Sequence, residues 1–472
     1  MMQSDSATRQ RNVLMPTRRE FLSRTGGGCG LLALASLLQE EQHSRAGDST
    51  GKSGAGRTKS VIWLFMNGGP SGIDLFDHKP DLKKWDGKSF PGGIETLFPH
   101  PGPVMQSPYM FRKHGESGAT VSEVYPHLAR HVDKLTFLKA CRSDAQNHVP
   151  ACYMVNSGVI RVGAPCVGSW MTYGLGRSSR DLPGFVVMHD PRSAPEGGAN
   201  LWDTGFLPGE NQGVMFRPSA HPILYLKRPT ELSRSAQAAQ LNLLRQLNGR
   251  HSAKHPAESQ LQARIESFET AFRMQSSAGR VVDVSQESRL TQSLYGLDDP
   301  ECRAFGHQLL MARRVVEDGV RFIQIYHGGW KANWDQHANL AEDHRQRCTE
   351  TDKPIAGLLA DLQQRGLLDS TLVVWGGEFG RTPTSQDRDG RDHNPFGFTM
   401  WLAGGGARPG FTYGKTDEFG YRPVENSVSM HDLHATILHL AGLDHDNLTF
   451  FHDGREQSLT NNRGSVIHDI VA

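Results

Sequence analysis

Carboxylates and imidazoles recur in this chain at short spacings. Trp334-Asp335-Gln336-His337 places a carboxylate and an imidazole two residues apart. Gly376-Gly377-Glu378-Phe379-Gly380-Arg381 sets a glutamate among glycines, with an arginine three residues on. Asp392-His393-Asn394-Pro395 and Asp144-Ala145-Gln146-Asn147-His148 supply two more imidazoles, and Ser71 and Asp74 follow Gly68-Gly69-Pro70. Such mixed oxygen and nitrogen donors suit zinc, manganese or iron and, with more oxygen, magnesium or calcium. Each piece also has an ordinary structural reading. An Asp-x-His can be a helix cap beside a surface histidine, Glu378 can pair with Arg381, and His148 can simply open a helix.

The elements that must position these residues are short and apolar. Val61–Met66 is a continuous apolar run, as in a strand buried on both faces. Similar runs occur at Leu135–Leu138, Phe185–Met188, Phe322–Tyr326, Thr371–Trp375 and Phe398–Leu402. Helical spacing falls between them, at Gln308–Gly319 and Pro354–Arg365, the latter with Ile355, Leu358, Leu359 and Leu362 on one face. Strands alternating with helices predict an α/β fold with a mostly parallel sheet covered on both sides. Ligands in such folds bind at the carboxyl ends of strands. Glu378 and Asp335 follow two of the runs, His148 follows a third, and a short polar loop delivers His393 just before the Phe398 run. These groups are therefore expected to share one rim. Residues 229–300, rich in Gln, Ser and Arg, are expected to form a helical insertion.

Composition narrows the function classes. With 51 Lys+Arg against 50 Asp+Glu in 472 residues, the formal charge is +1, which gives no field for nucleic acid or an anionic membrane. The 22 histidines are the richer signal; His251, His255 and His344 read as surface or core, and in the last helical segment only His431 falls near the rim. The N-terminus reads as a twin-arginine export signal: Thr17-Arg18-Arg19-Glu20-Phe21-Leu22 precedes the apolar run Leu31–Leu38. That run is shorter than the roughly 20 apolar residues a membrane span needs. Residues 1–46 are expected to be signal and the start of a linker, 47–59 linker, and 60–472 one domain. Cys29 lies in the signal, and Cys141, Cys152, Cys166, Cys302 and Cys348 form no CxxC pair, so buried thiols are expected.

The ordered motifs resemble an exported bacterial family called "domain of unknown function 1501". They are the Thr-Arg-Arg-x-Phe-Leu signal, Gly68-Gly69-Pro70-Ser71…Asp74…Asp77-x-Lys79-Pro80, Asn147-His148, Gly205-Phe206-Leu207-Pro208, Trp334-Asp335-x-His337, Gly377-Glu378-Phe379-Gly380-Arg381-Thr382-Pro383, Gly390-Arg391-Asp392-His393-Asn394-Pro395 and His431–Leu438. The family is in turn similar to the alkaline phosphatase and sulfatase superfamily. That implies an alkaline-phosphatase-like three-layer sandwich and a metal-dependent hydrolase of phosphate or sulfate esters. Asp335 and His337 resemble the superfamily's later Asp…His metal pair, and His393 its following histidine. Glu378-Phe379-Gly380 resembles Asp-His-Gly with the histidine lost. His148 stands at the nucleophile position, and Asn67 where the first strand ordinarily ends in a metal-binding Asp. No Cys-x-Pro-x-Arg is present for formylglycine.

The resemblance implies a divalent metal (zinc, manganese, magnesium or calcium) on a set drawn from Asp74, Asp335, His337, Glu378, His393 and His431. His148 or Ser71 would act in catalysis, and Arg381 or Arg142 would stabilise an anion. The implied partners are a small-molecule or polysaccharide ester and, during export, the twin-arginine translocase. The implied location is periplasmic or otherwise extracytoplasmic. The competing reading is a non-hydrolytic periplasmic binding or assembly protein that keeps the fold; a lyase or esterase using the same metal is a third.

Overall fold

The computed structural model describes residues 56–472 apart from 180, 218–222, 224–231, 255–268, 271, 276–278, 280, 331–332 and 387. The expected signal and most of the linker lie outside the described residues. Eleven strands carry the argument: β1 (Ser60–Met66), β2 (Leu135–Arg142), β3 (Phe185–His189), β4 (Val214–Met215), β5 (Phe322–His327), β6 (Thr371–Gly376), β7 (Gly380–Gln386), β8 (Gly390–Asn394), β9 (Phe398–Ala403), β10 (Phe411–Tyr413) and β11 (Val428–Ser429). Nine of them form the central sheet in the order β10-β2-β9-β6-β1-β5-β3-β4, with β11 also paired to β2. Every pairing is parallel except those of β9, which runs against β2 and β6.

Alternation along the strands divides the core into two layers. Ile62, Leu64 and Met66 of β1 face one apolar cluster, and Val61, Trp63 and Phe65 face the other. Helices α1 (His148–Ser157) and α2 (Val167–Leu175) cover the second face, joined by α5 (Met430–Leu440); α3 (Arg303–Glu317) and α4 (Leu340–Gln364) cover the first. Because both faces are buried, the strands read as unbroken apolar runs rather than alternating ones. The fold is thus the expected α/β three-layer sandwich. All five cysteines of the domain are buried and free. No helix among the described residues is long and apolar enough to cross a membrane.

Three boundaries differ from expectation. The fold starts by Thr58, inside the segment expected as linker: its amide donates to the Leu440 carbonyl at 3.0 Å, and the Lys59 amide to Ser370. Helix α4 begins at Leu340, fourteen residues before Pro354. Its first half is buried by polar side chains such as His344, Arg347 and Glu350, so no apolar period marks it. The polar loop expected before the Phe398 strand is instead the β7–β8 hairpin. Within the expected insertion a helix spans Arg234–Lys254, while residues 255–268 lie outside the described set.

Candidate metal centre

The sheet's carboxyl ends bring four side chains to one point. His148, Asp335, His337 and His393 each offer a ligand atom within 4.8 Å of all the others. Asp335 is the hub. Its Oδ2 lies 3.2 Å from His148 Nε2, and its Oδ1 lies 2.9 Å from His337 Nε2 and 3.1 Å from His393 Nε2. The Nε2 atoms of His337 and His393 are themselves 3.1 Å apart.

Each histidine is oriented from behind. His148 Nδ1 is 2.6 Å from Glu378 Oε1, His337 Nδ1 is 2.5 Å from Gln386 Oε1, and His393 Nδ1 is 2.7 Å from the Gln146 carbonyl. All three partners are oxygen acceptors, so each Nδ1 carries the proton and donates. In its neutral form each ring then turns the Nε2 lone pair to the shared point, the tautomer a metal ligand needs. Such lone pairs and a carboxylate facing one another call for a cation between them, whether a proton or a metal ion. Three nitrogens and one or two oxygens at this spacing fit a divalent ion.

The electrostatics carry the same message. Burial disfavours the charged form of His148, but Asp335 and Glu378 override it and push its pKa up to about 10. Burial likewise works against an ionised Asp335, yet Arg381 and the three histidines hold its carboxyl well below the usual range. His393 goes the other way, down to about 4, chiefly through burial and despite its bond to Asp335. Asp335 and Glu378 thus favour positive charge at this point, carried by a proton on His148 or, once that proton is released, by a metal ion.

Local folding explains each placement. His148 is the first residue of α1, entered through Asn147 in extended conformation. The Asp335 loop is pinned where the Trp334 amide donates to the Asn67 carbonyl at 2.9 Å. It lies so close to β1 that a Cβ on Gly68 would meet Trp334 N at 2.6 Å and Asp335 N at 2.7 Å; Gly68 also has φ +113°. Only glycine fits both demands. On the other side, a Cβ on Gly390 would stand 1.8 Å from the His337 carbonyl oxygen. The β7–β8 hairpin pairs His393 with Arg381, and its register shifts between Arg391 and His393. Such bulges re-aim side chains next to functional sites.

Several predicted residues fall elsewhere. Glu378 does not join the four-residue cluster; its Oε1 supports His148 and accepts the Gly68 amide at 2.8 Å. Arg381 pairs with Asp335 Oδ1 at 2.6 Å rather than with Glu378, and also donates to the carbonyls of Gly68, Gly69 and Arg391. Its guanidinium is buried by that work and directed into the protein interior. Asp74 is paired in the interior with Arg391 at 2.8 Å and accepts the Ser71 hydroxyl at 2.5 Å. Both Asp74 and Ser71 are buried outside the cluster. His431 donates from Nε2 to the Gly158 carbonyl at 3.0 Å and is not part of the cluster either. Arg142 is half exposed beside Asp144. His148, expected in catalysis, stands within the four-residue cluster.

Sequence reasoning missed Gln386 and the Gln146 carbonyl, for which no residue pattern exists. It also missed Glu196, a buried carboxyl whose pKa is raised by burial, against the pull of His148, with Glu378 and Asp335 adding to the rise.

No curated protein matches this chain in sequence. Among solved structures, alkaline phosphatase from the Antarctic bacterium TAB5 is similar at TM-score 0.37 and 10% identity, covering 83% of this chain and 100% of that one. The PsFucS1 sulfatase from Pseudoalteromonas sp. is similar at TM-score 0.34 and 12% identity, over 85% and 72%. The phosphonate monoester hydrolase SpPMH from Silicibacter pomeroyi is similar at 0.32 and 13%, over 68% and 69%. These likenesses are distant. The family comparison is direct and spans nearly the whole domain: the chain belongs to the family described as "Protein of unknown function (DUF1501)", whose model matches residues 58–471.

Proposed function

We propose that this chain is an exported metal-dependent hydrolase acting on a phosphate or sulfate ester. In this reading residues 1–46 are a twin-arginine signal, which directs it to the periplasm, and the start of a linker that runs through 47–59, and one α/β domain over 60–472 with a helical insertion at about 229–300 does the work. The observation that carries the reading is the inward convergence of three Nε2 atoms on Asp335 while every Nδ1 is bonded outward. His148, Asp335, His337 and His393 hold the ion, and three imidazoles favour zinc or manganese over magnesium or calcium. When bound, a divalent cation supplies Lewis-acid charge against an anionic ester oxygen. Glu378, Gln386 and the Gln146 carbonyl keep the imidazoles in the right tautomer, and Arg381 keeps Asp335 ionised. Ser71 is committed to Asp74, and the four residues of the cluster carry no hydroxyl or thiol. In this reading the nucleophile is a water molecule.

One observation favours the second reading, a non-hydrolytic binding or assembly protein: the cluster holds no side-chain nucleophile of the kind covalent phosphatases and sulfatases use. Elemental analysis of protein purified without a histidine tag, followed by assays on aryl phosphates and aryl sulfates, separates the readings. Stoichiometric metal with turnover abolished by His393→Ala supports the hydrolase. Stoichiometric metal without turnover on either ester series supports the binding protein. Protein that takes up no divalent ion ends the metal reading altogether.

A further inference from the structure

An open groove of about 900 Å³ ends at His337, the most exposed of the three ligand histidines. One wall is the loop carrying Phe98, Pro99, His100 and Pro101, and the other is the hairpin with Arg388 on its rim. Phe98 is 45% exposed, a large apolar surface left in water beside a polar site. Its position is nonetheless set. Its amide donates to Asp392 Oδ2 at 2.9 Å, while Asp392 Oδ1 accepts the amide of the ligand His393 at 2.7 Å. Its ring meets the ring of His337 edge to face at 5.2 Å. The neighbouring His100 has φ +65°, a conformation that bulky residues adopt only where the surroundings impose it. The flanking prolines stiffen the same loop.

Resting on the ester-hydrolase reading, we infer that this groove binds the alcohol side of the substrate and that this side carries a six-membered ring, which packs on Phe98. An aromatic face accepts either an aryl ring or the apolar face of a pyranose. His100 and Arg388 on the rim supply hydrogen-bond donors to its substituents. Phe98 is a binding contact and plays no part in bond breaking.

The test is calorimetric titration of the metal-loaded protein with anions that cannot be hydrolysed. Methanesulfonate and methylphosphonate are the ring-free probes, benzenesulfonate and phenylphosphonate the aryl probes, and 6-deoxy-6-sulfoglucose the pyranose probe. Ring-bearing probes are expected to bind about tenfold tighter than ring-free ones, and Phe98→Ala to remove that advantage while Phe98→Trp keeps it. The aryl and pyranose arms show which ring is preferred. Ring-bearing and ring-free anions of equal affinity, or a Phe98→Ala loss shared by both, overturn the groove assignment alone. If no anion binds at all, the ester-hydrolase reading fails and the groove assignment falls with it.

Discussion

Arg381 and His393 face each other across the β7–β8 hairpin, and both reach the same atom, Asp335 Oδ1, at 2.6 and 3.1 Å. The buried Arg381 cation fixes the carboxylate from one side, and the His393 imidazole meets it from the other. Asp335 is thereby held ionised in the one place where three histidines converge. Removing its charge should remove the reason for the cluster.

Chelation is the most direct check. If the cluster binds a divalent ion in the folded state only, EDTA should lower the melting temperature by roughly 3–5 °C through mass action. Asp335→Asn should already show the lower value and gain nothing from added zinc or manganese. Differential scanning fluorimetry with and without metal decides this. An EDTA-insensitive wild-type protein would count against the centre.

Arg381 is positioned as a structural anchor and not as a contact for substrate anions. Arg381→Lys keeps the charge but cannot span Asp335 and the Gly68, Gly69 and Arg391 carbonyls together. A loss of about 2–3 kcal/mol in urea unfolding is expected, with weaker metal retention. A variant of unchanged stability that loses only anion affinity would return Arg381 to the substrate-binding role its sequence context suggests.

Gln386 orients His337 and touches nothing else that an ion needs. Gln386→Ala should weaken metal affinity by about 10–100-fold, the range for lost outer partners of a ligating imidazole, with the far-ultraviolet spectrum unchanged. Gln386→Glu retains an acceptor and should recover much of the loss. Competition with a chromophoric chelator reads both variants.

A buried histidine outside the cluster contributes to the acid sensitivity of the fold. His434 is fully buried against Trp63, donates Nε2–H to the Val155 carbonyl at 2.8 Å, and has its pKa pushed down to about 4 by that burial. Its folded pKa lies below the ordinary 6.5, so between these values the unfolded chain binds more protons. Stability is therefore intact above pH 6.5 and falls as pH drops toward 4, by about 3 kcal/mol from this residue. His434→Gln should be less stable at pH 7.5 but lose about 2 kcal/mol less on going to pH 4.5. Parallel pH dependences in the two proteins would show that His434 is not the acid-sensitive group.

The residues themselves announced the sheet and the rim. Strands buried on both faces must be apolar throughout, so β1, β5, β6 and β9 were visible as runs, and the carboxylates and imidazoles that follow or precede them marked the ligand-binding edge. Asp335, His337, His393 and His148 could be named as site residues for that reason. The hairpin could not. Arg381, Thr382, Arg391 and Asp392 are buried by ion pairs and hydrogen bonds instead of apolar contact, and polar strands satisfied by partners distant in sequence leave no period to read.

Sequence alone, then, determined the fold class, the strand ends and the list of groups able to bind a cation, because burial dictates residue type one position at a time. It did not separate ligands from supports. Asp74 and Glu378 carry the same carboxyl chemistry as Asp335 and likewise follow apolar runs. Tertiary structure tells the three carboxylates apart: Arg391 neutralises Asp74 in the interior, Glu378 stands behind His148, and Asp335 meets three imidazoles.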